Sequence, residues 1–582
     1  MTEAEFFRMP SSLRRLFATI LVFCEPSDVR SLWNKHLEAM SEDYSRNCKC
    51  KHTVEQMVLK NIRDMLQSMG KDIESFPLPK IDQQHETTDD VPREIIEESS
   101  IEVDHEEISL NKNLNNEQRE AYDKILAAIE CQRGGIFFVD GPGGTGKTFL
   151  YRALLATIHG QGKIAVATAT SGVAASIMPG GRTAHSGFKI PLKIDDGAIC
   201  GFTKQSGTAK LLKAASLIIW DEASMTKRQT VEALDKSMRD IMDKQELPFG
   251  GKTVVFGGDF RQVLPVVRKG TRAQIVDASL RRSQLWNSMC QLKLVRNMRA
   301  QNDKWFAEYL LRIGNGTEET NKDGEILIPT SICVPNKTND NSLDKLIDSV
   351  YQMDNTSLKD PKYITSRAIL STRNDSVDRI NLKMIDRFQE EEMVYHSFDS
   401  VEDDPHNYYP PEFLNTLTPN GLPPHMLKLK VNCAIILLRN IDPANGLCNG
   451  TRLVVRGFQK NTIDAEIVVG QHYGMRVFLP RIPLCPSDDD MFPFSFKRKQ
   501  FPVRLSFAMT INKSQGQTIP NVSVYLPEPV LSHGQLYVAL SRATATSNIK
   551  VLAGTHDGKK NKKTSTSGTY TKNIVYKEVL TK

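Results

Sequence analysis

Apolar positions recur at two different periods along this chain, and the change of period divides it. In the first 79 residues Leu13, Leu16, Phe17 and Ile20 fall at helical spacing, as do Met57, Leu59, Ile62, Met65 and Leu66. This predicts a helical N-terminal extension over residues 1–80. From about residue 110 short apolar runs appear instead: Ile136–Val139, Ile164–Ala167, Leu217–Trp220 and Thr253–Phe256, each separated by a helical stretch. Short buried strands between helices predict a parallel sheet covered on both faces. A second α/β region follows, with strands predicted at Ala368–Leu370, Ala434–Leu438 and Val522–Tyr525. Inside it, Leu453–Val455, Ala465–Val469 and Met475–Phe478 are closely spaced and broken by Gly457, Gly470 and Gly474. They predict a small all-β, barrel-like insertion over about residues 453–505.

Charge sharpens this division. Between residues 81 and 110 eleven Asp and Glu face one basic residue, Arg93, a local charge of −10 within a chain of net +6. Residues 81–108, with Pro92, therefore read as an acidic, exposed linker. The remainder carries +16, compatible with a polyanionic partner and equally with a merely basic surface. Residues 109–290 read as a first α/β lobe with a small insertion near 177–213, and 291–555 as a second. Residues 556–582 read as a mobile basic loop, with Lys559, Lys560, Lys562 and Lys563, and a C-terminal strand.

Composition removes several classes. With 40% hydrophobic and 25% charged residues in 582, the chain is neither collagen-like nor wholly disordered. Its longest early apolar run, Leu16–Cys24, is short of the ~20 residues a membrane span requires. The first residues include Glu3 and Glu5 rather than the basic start of a secretory signal. Ten irregularly spaced cysteines fit a reducing compartment. The expectation is a soluble intracellular protein with no membrane partner, nuclear if the cell is eukaryotic.

The chemistry concentrates at three strand ends. Gly141-Pro-Gly-Gly-Thr-Gly-Lys-Thr148 follows the first strand and precedes a helix, which is the phosphate-loop pattern. Gly141, Gly143, Gly144 and Gly146 let backbone N–H groups wrap phosphates, Lys147 reaches the β- and γ-phosphates, and Thr148 ligates Mg²⁺. The run Leu217–Trp220 ends in Asp221 and Glu222. A carboxylate at a buried strand tip needs a cationic partner, so Asp221 is the second Mg²⁺ ligand and Glu222 the group that polarises water. After Val254–Phe256, Gln262 is placed to sense the γ-phosphate or to position water. The chain has no second phosphate loop, so the second lobe offers cations instead: Arg299 in Leu294–Arg299 and Arg542 in His533–Arg542. An arginine reaching the γ-phosphate from another lobe would make ATP a bridge.

In this order, Gly141–Thr148, Asp221–Ser224, Gly257–Pro265, Phe507–Thr518 and Ser532–Arg542 resemble the motif series of superfamily 1B DNA helicases, above all the petite-integration-frequency (PIF) family. Gly181–Phe188, Tyr409–Leu414, Asn445–Thr451 and Leu13–Leu21 are similar in wording to the helicase half of Helitron transposon proteins. The resemblance implies two tandem RecA-like P-loop lobes and an ATP-dependent DNA helicase that moves 5′ to 3′ on single-stranded DNA and opens duplex junctions. The family's roles lie in DNA repair, recombination and telomere maintenance. By the same resemblance Gln118 reads the adenine, and Thr170, Gly172 and His185 line the DNA path in the first lobe. Thr510, Lys513 and Ser514 face DNA in the second, and the insertion after Leu453 matches a small β-barrel. Two positions depart from the cellular pattern: Asn512 stands where His is usual, and Asn297-Met298 precede Arg299 where an aromatic-Arg-Gln sequence is usual.

Other features point elsewhere or nowhere. No two histidines stand two apart, so the metal pair of a nicking domain is missing from the sequence, and Tyr408-Tyr409 before two prolines reads as a loop. Cys48, Cys50 and His52 amount to half a zinc site and read as ordinary residues near a helix end. Phe492–Lys499 mixes aromatics with cations, which suits either a nucleic-acid grip or an edge strand. The rival to a motor is a remnant that binds ATP and DNA but moves nothing, and a nucleotide switch or kinase leaves Arg299 and Arg542 unexplained.

Overall fold

Six strands make one parallel sheet in the order Arg182–Thr183, Ala165–Ala169, Leu217–Asp221, Thr253–Gly258, Gly135–Asp140, Cys290–Lys293. The computed structural model describes residues 1–6, 9–46, 48–82, 91–335, 341–351, 360–402, 404, 408–486, 492–554 and 568–581. The four apolar runs became strands because alternate residues have a core on each side. Ile218, Trp220, Val254 and Phe256 enter one apolar cluster, while Leu217, Ile219 and Val255 enter another on the opposite face. The region 177–213, expected as an insertion, contributes the edge strand Arg182–Thr183 to this sheet.

A second parallel sheet runs Ala508–Thr510, Arg367–Ser371, Asn521–Leu526, Ile549–Ala553. Helices Lys304–Asn315 and Gln535–Leu540 share its apolar cluster through Phe306, Leu310, Leu536 and Leu540. Both sheets belong to one compact unit, Asp90–Gln352 with Ser366–Arg379 and Ala508–Lys582.

The acidic segment departs from expectation. Where described, it forms helices Arg93–Ser99 and His105–Ile108 rather than an exposed arm. Ile95 packs on the first sheet's core, Arg182 pairs with Glu97 at 2.5 Å, and Arg152 pairs with Glu107 at 2.7 Å. Its charge is matched by cations of its own lobe, a pairing between residues far apart in sequence. Residues 83–90 and the four lysines from Lys559 to Lys563 lie outside the described residues.

The other unit comprises Met1–Asp89, Met353–Thr365 and Ile380–Phe507. Helices Pro10–Cys24, Val29–Ser45 and Lys51–Ser68 bury Leu16, Phe17, Trp33 and Ile62 in one cluster, which Phe478 joins from a strand. A five-stranded antiparallel sheet is ordered Arg476–Pro480, Thr462–Ile467, Arg452–Phe458, Ala434–Leu437, Val503–Leu505. Ala434–Leu437, predicted for the second α/β sheet, is thus a strand of a different sheet: its apolar run specified burial, not a partner. The antiparallel region is also wider than predicted, since Met393–His396 and Phe398–Val401 already pair within it. Phe496–Gln500 lies at the centre of a three-stranded sheet, between Phe398–Val401 and Ile482–Leu484, so the edge-strand reading fails. Its buried Arg498 is held by Asp399 at 2.6 Å. Among the described residues no helix is long and apolar enough to cross a membrane, and all ten cysteines are unbridged.

Candidate nucleotide-binding site

The phosphate loop turns between strand Gly135–Asp140 and helix Lys147–Gly160. Its turn requires left-handed backbone at Gly144 (φ 89°) and Gly146 (φ 80°), where a side chain would be strained. Gly146 is also closed by its neighbour, since a β-carbon there would stand 2.4 Å from Nε2 of Gln118. Lys147 curls back over the loop, its Nζ donating to the Gly141 carbonyl at 2.6 Å.

Around this loop a cavity of 430 Å³ gathers residues from both sheets, among them Thr148, Asp221, Glu222, Gln262, Arg299 and Arg542. Every catalytic position predicted from sequence therefore meets in one place. Asp221 ends its strand fully buried, and its Oδ1 accepts the Glu222 backbone N–H at 2.8 Å. Burial, reinforced by the neighbouring Glu222 charge and opposed by Lys147, pushes its carboxyl up to about 7. Glu222 holds a left-handed backbone (φ 54°), uncommon for a non-glycine residue and a feature of functional turns. Its Oε2 accepts from Nε2 of Gln515 at 3.3 Å, a residue inside the quoted motif Phe507–Thr518 to which the sequence reading gave no role. Gln262 donates to Asp259 at 3.3 Å, and its buried Oε1 has no partner.

The two arginines are bound only by neutral acceptors. Arg299 donates to the Ser541 carbonyl at 2.7 Å and to Thr518 Oγ1 at 2.8 Å. Arg542 donates to the carbonyls of Val538 and Gln517, at 3.1 and 2.9 Å, and to Ser541 Oγ at 3.0 Å. Burial and the nearby Arg542 cation bring Arg299 down to about 9, and burial likewise lowers Arg542. A buried and a half-buried guanidinium group in one cavity, without an ion-pair partner among the described residues, favour an anion between them. Helix Gln535–Leu540, entirely buried, sets where Arg542 ends.

The donor set fits Mg²⁺. Hydroxyl and carboxylate oxygens, Thr148 and Asp221, suit a hard cation that takes one or two carboxylates and completes its shell with phosphate and water. Among the described residues no group of three or more His, Cys, Asp or Glu could hold a metal unaided, so Cys48, Cys50 and His52 form no site.

Gln118 has a structural duty here. It closes a capping box with Asn115 and donates to the Thr145 carbonyl at 3.1 Å, bracing the loop from behind. The expected DNA contacts are mixed. Thr170 is engaged with the Glu222 carbonyl at 2.8 Å, and Gly172 is the buried first residue of helix Gly172–Ser176. His185 is shifted down by burial. Lys513 is exposed and Thr510 partly so, but Ser514 is fully buried, its hydroxyl donating to the Ile511 carbonyl at 2.7 Å. The short turn Ile511–Ser514 points that side chain inward, so Ser514 does not face DNA in this structure. Tyr537 and Thr518, both inside quoted motifs, were missed because no spacing rule assigns them a role.

A phosphate loop after one strand, Asp221 and Glu222 at the end of another, and Arg542 past a helix packed on a second parallel sheet make up the RecA-like P-loop fold of helicases. Residues 113–324 match the PIF1-like helicase family model, and residues 412–458 match that of the DNA helicase Pif1 2B domain. The chain is 27% identical over 449 residues to the ATP-dependent DNA helicase PIF1 of Danio rerio, covering 76% of this chain and 61% of the relative. It is 26% identical over 434 residues to the ATP-dependent DNA helicase Pif1 of Bdellovibrio bacteriovorus, covering 73% and 86%. The Bacteroides Pif1 structure bound to single-stranded DNA superposes with TM-score 0.53 at 25% identity, covering 75% of this chain and 92% of that one. By these matches the chain is similar to PIF1-like helicases over about three quarters of its length. The chain spans about 61% of the length of the zebrafish relative it matches.

Proposed function

We propose that this chain is an ATP-dependent DNA helicase, hydrolysing ATP to ADP and phosphate while translocating on single-stranded DNA and separating duplex at junctions. The observation that carries the reading is the meeting of Arg299 and Arg542 with the phosphate loop, Asp221 and Glu222 in one cavity. A mere nucleotide binder has no need of an arginine delivered by a helix packed on a second sheet.

In this reading Lys147 leaves the Gly141 carbonyl for the β- and γ-phosphates, Thr148 and Asp221 hold Mg²⁺, and Gln118 lies on the adenine side of the loop. The metal, when bound, supplies charge neutralisation on the phosphates. Glu222 accepts the proton of the attacking water, Gln262 orients that water with its unpartnered Oε1, and Arg299 and Arg542 meet the charge developing on the transferred group. Loss of the γ-phosphate removes what the two sheets share, which couples hydrolysis to lobe opening. Thr170, Gly172, His185, Thr510 and Lys513 are the proposed DNA-lining positions. The 5′ to 3′ direction, the Helitron-like branch and a barrel-like role for the antiparallel insertion rest on the motif resemblance.

The deciding experiment is steady-state ATP hydrolysis with and without single-stranded DNA, with Lys147→Ala as control, followed by unwinding of 5′-tailed and 3′-tailed duplexes. Stimulation by DNA and opening of the 5′-tailed substrate support the reading. Hydrolysis indifferent to DNA, or no unwinding, overturns it. DNA affinity should also fall steeply with salt, and a log–log slope near zero would contradict a phosphate-dominated interface.

A further inference from the structure

Beside this site the Tyr151 hydroxyl, like Gln262 Oε1 and Gln515 Oε1, is a buried polar atom without a partner among the described residues. Tyr151 lies one turn into helix Lys147–Gly160; its side chain is fully buried and its hydroxyl makes no hydrogen bond. Buried polar atoms are paired in the large majority of cases, and exceptions mark strain, a catalytic role or a missing water or ion. A phenylalanine would fill the same apolar cluster with Val139, Ile219 and Val255 without that cost.

The hydroxyl packs closely on the backbone of a glycine that leaves room for it. A β-carbon on Gly257 would stand 1.8 Å from the Tyr151 oxygen and 2.9 Å from Oδ1 of Asp221. Phenol and carboxylate therefore both lie over the Gly257 backbone, next to the end of the buried strand Thr253–Gly258, a close approach that only glycine permits. Burial and the charges of Asp221 and Glu222 hold the phenol in its protonated form, so it is a donor. The Asp221 carboxylate has acceptor capacity to spare, since among the described residues its one hydrogen bond is from the Glu222 N–H.

We propose that Tyr151 is a positioning residue whose hydroxyl donates to Asp221 in the loaded site, directly or through one water, and so fixes the carboxylate in its metal-binding orientation. The proposal rests on the nucleotide-binding reading above. The phosphate-loop helix then acts twice. Lys147 and Thr148 at its start face the nucleotide, and Tyr151 one turn later steers the carboxylate opposite. Hydrogen bonds that orient metal ligands are worth ~10–100-fold in metal affinity or activity.

The test is Tyr151→Phe in the full chain, read by Mn²⁺ titration in the presence of ADP, followed by electron paramagnetic resonance. Metal-free ADP affinity and the melting temperature of the unliganded protein are measured alongside. Mn²⁺ affinity should weaken ~10-fold, metal-free ADP affinity should hold, and the melting temperature should stay or rise, because the deleted hydroxyl had no partner. Unchanged Mn²⁺ affinity in a variant whose parent binds Mn²⁺ and ADP overturns the positioning role alone. A marked fall in melting temperature, or failure to fold, overturns it as well, since the hydroxyl would then be making a structural bond. A parent protein that binds no Mn²⁺ with ADP sinks the nucleotide reading and this proposal together.

Discussion

The backbone N–H of Gly143 donates to the phenolic oxygen of Tyr537 at 2.9 Å, and both residues are buried. This bond ties the phosphate loop to the helix that delivers Arg542, across more than half the chain. A second tie runs beside it: His533 Nε2 donates to the Phe260 carbonyl at 2.7 Å, while its Nδ1 accepts the Tyr576 N–H at 2.8 Å, which fixes the tautomer. Tyr537→Phe leaves the Gly143 N–H buried without an acceptor, at a cost of about 1–3 kcal/mol. The melting temperature without nucleotide should fall, and a non-hydrolysable ATP analogue should narrow the gap by offering the loop another acceptor. Equal melting curves for parent and variant would show that the bond contributes nothing.

Arg542 and Lys147 should separate binding from chemistry. Lys147→Ala should lose both nucleotide binding and hydrolysis. Arg542→Ala should bind nucleotide within a few-fold of the parent, while DNA-stimulated hydrolysis falls at least ~100-fold. Fluorescent-nucleotide titration and steady-state hydrolysis on the same preparation decide the matter. Hydrolysis near the parental rate would reduce Arg542 to a packing residue.

Glu98 makes the docked acidic segment sensitive to pH. Burial, with help from Glu97 and against Arg182, pushes its carboxyl up to about 8, and its Oε1 lies 3.7 Å from Nε2 of His159 without a hydrogen-bond partner. Burial holds His159 itself below its ordinary value. A carboxyl raised in the folded state contributes stability that is full below its unfolded value, near 4.5, and is lost as pH rises through about 8. Glu98→Gln should therefore match the parent in thermal melts near pH 4.5 and exceed it at pH 8 and above. A parent–variant difference independent of pH would remove this account.

Arg15 and Asp442 form a buried ion pair at 3.0 Å that joins helix Pro10–Cys24 to the antiparallel region of the same unit. Arg15→Ala leaves the Asp442 charge buried with Asn445 and Ser68 as its remaining side-chain donors. The expected loss is about 3–5 kcal/mol, read as a lower denaturant midpoint for unfolding. Arg46→Ala removes an exposed pair with Glu42 and should leave the midpoint unchanged. Equal effects of the two substitutions would mean that burial does not govern the Arg15 pair.

The candidate phosphate site was legible in the sequence because its loop, its two carboxylates and Gln262 are each local to a strand end. The phosphate loop, Asp221, Glu222 and Gln262 all follow short apolar runs whose burial on both faces is written into their composition. Periodicity likewise found the N-terminal helices. Pairing was not legible in this way. The run Ala434–Leu437 demanded burial and could satisfy it in either of two sheets, and only tertiary contact put it among antiparallel strands. The acidic run read as solvated because its partners, Arg152 and Arg182, lie dozens of residues away. Ser514 read as exposed because a motif records residue type but not the direction in which a turn aims it. The sequence by itself determined which residues could do phosphoryl chemistry. Tertiary structure decided what surrounds them: which side chains brace Glu222 and the arginines, and the close approach of Tyr151 and Asp221 to the Gly257 backbone. Those are distances between residues remote in the chain, and no local propensity encodes them.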